Sequence, residues 1–182
     1  MCIPGAHKVA AAPTPNAICK VEFVADHPSF PTSHASTLVE TRGGLIAAWF
    51  GGSQERAIDV GIWLSRNSGG GWSEPREIAN GIQEKAVIRY PCWNPVLFKG
   101  HAGPLLLFYK VGPSPEAWWG MLTISTNEGS TWSAPARLPE GIFGPIRNKP
   151  VELPDRSLLC GSSTENAGWH IHMERTIDFG RT

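Results

Sequence analysis

The feature that most constrains this chain is a turn that it writes three times. Ser125-Thr126-Asn127-Glu128-Gly129-Ser130-Thr131-Trp132 has a near copy upstream in Ser65-Arg66-Asn67-Ser68-Gly69-Gly70-Gly71-Trp72. The start of another is Thr176-Ile177-Asp178-Phe179-Gly180-Arg181-Thr182. All fit S/T-x-N/D-x-G-x-T/G-W, the last as far as it runs, and both complete copies continue alike, as Trp72-Ser73-Glu74-Pro75 and Trp132-Ser133-Ala134-Pro135. The residue types predict a tight turn in which Asn or Asp folds onto nearby backbone N–H groups, Gly takes positive φ and Trp buries beneath. A turn repeated with such a period marks one supersecondary unit laid down several times.

Between the turns the chain reads as short apolar runs broken by Gly, Pro and Asn, with no sustained helical period. Val21 to Val24 is the first expected strand, followed by Ala35 to Val39 and Leu45 to Phe50 around the turn Arg42-Gly43-Gly44, then Val60 to Ser65. The order returns as Pro95 to Phe98, a turn at Gly100 to Gly103, Leu105 to Val111 and Trp119 to Ser125. It returns again as Pro150 to Leu153, a turn at Asp155-Arg156, Ser157 to Cys160 and His170 to Arg175. Each round opens on comparable residues, His34-Ala35-Ser36, Trp93-Asn94-Pro95 and Asn148-Lys149-Pro150, at a spacing of roughly 55 to 60 residues. The expectation is all-β: each round one four-stranded antiparallel sheet, stacked radially as a blade of a β-propeller. A β-sandwich accounts for the strands but not for the repeat.

Composition narrows the partners. With 41% apolar and 18% charged residues in 182, the chain has the make-up of an ordinary globular domain with its own core. Sixteen basic residues balance sixteen acidic ones, so no bulk attraction draws it to nucleic acid or an anionic membrane, although a local basic pocket stays open to it. Residues 1–20 lack a signal-peptide pattern and are expected to be a flexible lead-in to a domain over 21–182. No run approaches the ~18 apolar residues of a membrane span, so the default expectation is a soluble, cytoplasmic protein. Cys2, Cys19, Cys92 and Cys160 have neither zinc nor disulfide-scaffold spacing and read as free thiols.

On these residues the chain resembles the sialidase-like BNR-repeat, or Asp-box, family from about Phe23 onward. Besides the repeated turns, the resemblance rests on His34 to Glu40, Ala48-Trp49-Phe50-Gly51-Gly52, Asp59 to Ser65, Tyr90-Pro91-Cys92-Trp93-Asn94-Pro95 and Gly144 to Pro150. It implies a propeller of about six blades, of which this chain carries about three as an N-terminal fragment. Alone, such a fragment is expected to self-associate through unpaired blade surfaces. The implied activity is exo-hydrolysis of a terminal sialic acid or another acidic sugar from a glycan. No cofactor or metal is expected; His170 and His172 share a strand face, but two ligands do not make a site.

In a propeller, the start of each innermost strand and the loop leaving it point at the central axis. His34, Trp93, Asn94, Asn148 and Lys149 hold such positions, with Arg147, Asp59, Lys110 and Glu165 as neighbours, and together they would line a polar, partly cationic pocket for a carboxylated sugar. Each taken singly is equally a strand-end polar group satisfied by backbone or water. Asp59 resembles the acid/base aspartate of sialidases and would protonate a leaving oxygen if burial raised its pKa; the bland reading is an Asx turn. Where similar sialidases open with Arg-Ile-Pro, this chain has His34-Ala35-Ser36. Histidine lacks the bidentate, permanent charge of arginine. It would act instead as acid or base, or orient a hydroxyl, and Arg147, Lys149 or Arg56 would supply the positive charge. Tyr90 and Tyr109, the only tyrosines, do not sit where a sialidase nucleophile is expected. Trp93, Trp118, Trp119 and Trp169 read either as blade packing or as sugar-stacking faces. The alternative to hydrolysis is a non-catalytic glycan-binding or scaffold propeller.

Overall fold

The structure is a computed structural model that describes residues 21–83 and 88–180. The expected lead-in, Cys2, Cys19 and the last two residues of the third turn lie outside that range.

Three antiparallel sheets follow one another along the chain. The first holds β1 (Thr32–Thr41), β2 (Gly44–Gly52), β3 (Gly61–Asn67) and β4 (Arg76–Ala79) in sequential order. A short hairpin of β5 (Ile82–Gln83) and β6 (Ile88–Arg89) leads to the second, made of β7 (Cys92–Lys99), β8 (Leu105–Val111), β9 (Trp119–Ser125) and β10 (Ala136–Arg137). The third holds β11 (Val151–Glu152), β12 (Leu158–Thr164) and β13 (His170–Thr176), three strands among the described residues where four were expected per round. Among the described residues there is no helix, hence none long and apolar enough to cross a membrane.

The middle sheet shows why the apolar runs are nearly continuous. Side chains alternate across a strand, and β8 is buried along its whole length. Its residues Leu105, Leu107, Tyr109 and Val111 pack with Ile46, Ala48, Phe50, Ile62 and Leu64 of the first sheet. Leu106 and Phe108 point the other way, into a cluster with Val96, Leu122, Leu138 and Leu158 that reaches the third sheet. A strand covered on both faces loses the polar alternation of a half-exposed one. Three sheets stacked in chain order are the arrangement of successive blades and leave no room for the two-sheet sandwich reading.

The repeated turns make the expected backbone bonds and also join the sheets. In the second, Asn127 Oδ1 accepts the Thr131 N–H at 2.9 Å and Ser125 Oγ accepts the Gly129 N–H at 2.8 Å. The third repeats this with Gly180 N–H to Thr176 Oγ1 at 2.7 Å. Positive φ falls on Glu128 and Gly129 and again on Phe179 and Gly180. A β-carbon at Gly129 would stand 2.7 Å from Ile46 Cδ1, so the turn of the second sheet seats on the first. Glu128 of that turn accepts the Arg42 N–H and pairs with Lys99. Glu152 does the same between the next two sheets, accepting the His101 N–H at 2.7 Å.

Two expectations are corrected. Val21 to Val24 forms no strand: Val21 and Phe23 are 86% and 80% exposed, and the segment runs past Trp72 as irregular chain. The turn tryptophans Trp72 and Trp132 are half-buried at the edges of the apolar clusters. Cys92 and Cys160 are free and buried, as expected of structural thiols.

Candidate functional site

The strand register divides the molecule into two ends. Thr32 pairs with Gly52, so the start of β1 and the loop after β2 lie together; Leu45 pairs with Asn67, so the Arg42-Gly43 turn and the first repeated turn lie at the other end. The second sheet is alike, with Cys92 facing Val111 and Leu105 facing Ser125. Strand starts and the loops 53–60, 112–118 and 165–169 therefore form one rim, and the repeated turns sit at the opposite end.

Strand starts share a local device. β1 shifts register between His34 and Thr37, with Ala35 at φ 52; β7 shifts between Trp93 and Val96, with Asn94 at φ 40. The same bulge thus re-aims the opening residues of both inner strands, and bulges of this kind gather at rims and sites. His34 is exposed, its ring edge-on to Phe50 at 5.4 Å. Asn94 is half-exposed.

Asp59 is exposed on the rim and already bonded. Ser53 donates to it twice, from its N–H to Oδ2 and from its hydroxyl to Oδ1, both at 2.9 Å. Desolvation works to raise its pKa and is the largest single influence, but the Ser53 bonds and the nearby Arg89 charge together outweigh it and hold the carboxyl below its usual range. Arg89 fixes the loop as well, donating to the Asp59 carbonyl at 2.8 Å and to Glu77 at 3.0 Å. Sequence reasoning missed both Ser53 and Arg89; the Ser-x5-Asp spacing was the one available signal. Glu116 in the second rim loop is held below its usual range, chiefly by the Ser114 hydroxyl, with the Arg56 charge a lesser influence from the first loop.

Other predicted residues stand elsewhere. Trp93 is 3% exposed, donates to the Gly112 carbonyl at 2.9 Å, and lies between Phe50 and Trp118 with ring centroids 6.1 Å from each. It is wall, with no free face for a sugar. Lys110 is fully buried on the face of β8 turned to the third sheet, where its ammonium donates to the Pro145 carbonyl at 2.9 Å. Burial pushes its pKa down to about 7, with the Glu174 charge working the other way. Lys149 is exposed as a residue, yet its ammonium bridges the carbonyls of Leu38 in β1 and Leu97 in β7 at 2.6 and 2.7 Å, and desolvation there lowers its pKa. Arg147 and Asn148 are exposed and Glu165 half-exposed at the same end of the third sheet. The rim thus brings His34, Asp59, Asn94, Arg147, Asn148 and Glu165 to one end of the stack, while Trp93, Lys110 and Lys149 hold its walls. Among the described residues no three His, Cys, Asp or Glu side chains gather to hold a metal.

A family described as "BNR repeat-like domain" matches residues 43–182. No curated protein matches the chain in sequence. Among solved structures, the chain is similar to the Hadza microbial sialidase Hz136 with TM-score 0.67 and 17% identity, covering 82% of this chain and 36% of that one. It is similar to Trypanosoma rangeli sialidase in complex with sialic acid with TM-score 0.58 and 13% identity, covering 83% and 29%. A third is Zg3597, a family 117 glycoside hydrolase from the marine bacterium Zobellia galactanivorans, with TM-score 0.58, 12% identity, and coverage of 82% and 54%. At these identities the likeness shows the fold, that of sialidase-like propeller blades, and this chain spans from 29% to 54% of the length of those structures.

Proposed function

The chain belongs to the BNR repeat-like domain family, and from that premise we propose that it forms part of a glycoside hydrolase that removes a terminal acidic sugar from a glycan, with the rim as half of its pocket. The observation that carries the reading is Asp59: an exposed carboxylate held in one orientation by two bonds from Ser53, on the same rim as His34. As an ionised group it accepts a proton. To donate one to a leaving glycosidic oxygen it must first be covered, and a sugar seated on the rim would strip its water and raise its pKa. His34, beside the bulge at Ala35, would bond a sugar hydroxyl or exchange a proton with it. Arg147 is the cation offered to the sugar carboxylate: it is exposed and has no ion-pair partner among the described residues. Blades supplied by further chain would complete the pocket and bring the nucleophile.

A non-catalytic glycan-binding propeller is the second reading. It is favoured by the low pKa of Asp59 and by histidine standing where similar sialidases carry arginine. Turnover of fluorogenic glycosides of sialic and uronic acids by the protein with its complete ring, set against direct binding of the same sugars, separates the two. Binding without turnover favours the second.

A further inference from the structure

The rim reading leaves one group of buried charges unused. Between the second and third sheets, Glu174 of β13 accepts the Phe143 N–H on Oε1 at 2.9 Å and the Gly144 N–H on Oε2 at 2.6 Å. From the facing sheet, Lys110 of β8 donates to the carbonyl of the next residue, Pro145, at 2.9 Å. Three consecutive backbone units are thus gripped by two ionic side chains from different sheets. His172 Nε2 lies 2.9 Å from Glu174 Oε1 and braces the carboxylate along its own strand. Gly144 allows the grip: it sits at φ 70, and a β-carbon there would stand 3.0 Å from Leu138 and 3.2 Å from Phe108. A cavity of about 50 Å³ lies beside it among Phe108, Leu138, Ile142, Gly144 and Cys160.

Burying two such charges is expensive, and apolar residues of like volume commonly hold two sheets together as well or better. Their value lies in geometry, and the backbone they fix leads within three residues to Arg147 and Asn148. We propose that Lys110 and Glu174 are positioning residues that clamp Phe143-Gly144-Pro145 and so set where Arg147 and Asn148 stand above the sugar. The inference rests on the glycan-site reading for its functional half; the clamp stands on its own geometry.

The test uses Glu174→Gln, Lys110→Met and the double variant in the protein with its complete ring. The double variant leaves no unpaired buried charge and serves if either single one fails to fold. Amide exchange in peptides spanning 140–150 is expected to rise about tenfold or more, while 45–52 and 105–109 stay protected as in wild type. Unchanged exchange, or a uniform rise across all three regions, overturns the clamp. With a fluorogenic acidic glycoside as probe, KM is expected to rise about fivefold or more with kcat within about twofold, since Asp59 and His34 are untouched. A loosened segment with KM unchanged overturns the positioning role. A wild-type protein that neither binds nor cleaves acidic glycosides counts against the glycan reading, and amide exchange then decides the clamp by itself.

Discussion

Each carboxylate oxygen of Asp59 is held by Ser53, Oδ2 by its N–H and Oδ1 by its hydroxyl, both at 2.9 Å. The pair closes the loop between β2 and β3 into a ring and points one acid along the rim. Both bonds favour the ionised form, so Asp59 keeps a pKa below the ordinary carboxylate range.

Ser53→Ala removes the hydroxyl bond and leaves the N–H bond. The Asp59 pKa is expected to move up toward its ordinary value, read by NMR titration of the side-chain carboxyl. Because the folded pKa is depressed, the group's stabilisation is present above the ordinary carboxylate pKa and is lost as pH falls through the folded value. That acid-side loss is expected to shrink in the variant. An Asp59 pKa indifferent to the change contradicts this account of the loop.

Lys149→Met tests whether the axis lysine is structural. Its ammonium joins Leu38 and Leu97, so it ties the inner strands of the first two sheets at their carbonyls. Losing two charge-assisted bonds is expected to cost about 1–3 kcal/mol in denaturant unfolding. A variant as stable as wild type but weak in sugar binding would return Lys149 to the pocket.

Trp93→Ala separates wall from platform in the same way. A side chain 3% exposed, packed between Phe50 and Trp118, leaves a large void when truncated. The expected loss is about 3–5 kcal/mol, seen as a lowered unfolding midpoint. Unaltered stability would contradict the placement of Trp93 in the core.

Much of the fold was legible because the repeated turn is local chemistry. Asn127, Gly129 and Ser125 need no distant partner to make their bonds, and the interval between copies carries the blade phase. Val21 to Val24 misled because apolar content alone cannot distinguish a strand from an irregular segment without a neighbour to pair with. The candidate site was legible in position but not in depth. Counting along the repeat puts Trp93, Lys110 and Lys149 at the right end of the stack, yet whether a residue faces the axis or the adjoining sheet depends on which side of a doubly covered strand it occupies. β8 is apolar on both faces, so its pattern could not reveal that Lys110 turns toward the third sheet. Ser53 and Arg89 escaped notice because their roles exist only once the loops close on Asp59.

A glycosidase site at the rim would turn on Asp59. The most direct measurement is kcat/KM of Asp59→Asn beside wild type, in the protein with its complete ring, on a fluorogenic acidic glycoside. A fall of about 10²-fold or more is expected, with the unfolding midpoint preserved. Turnover equal to wild type would contradict the claim.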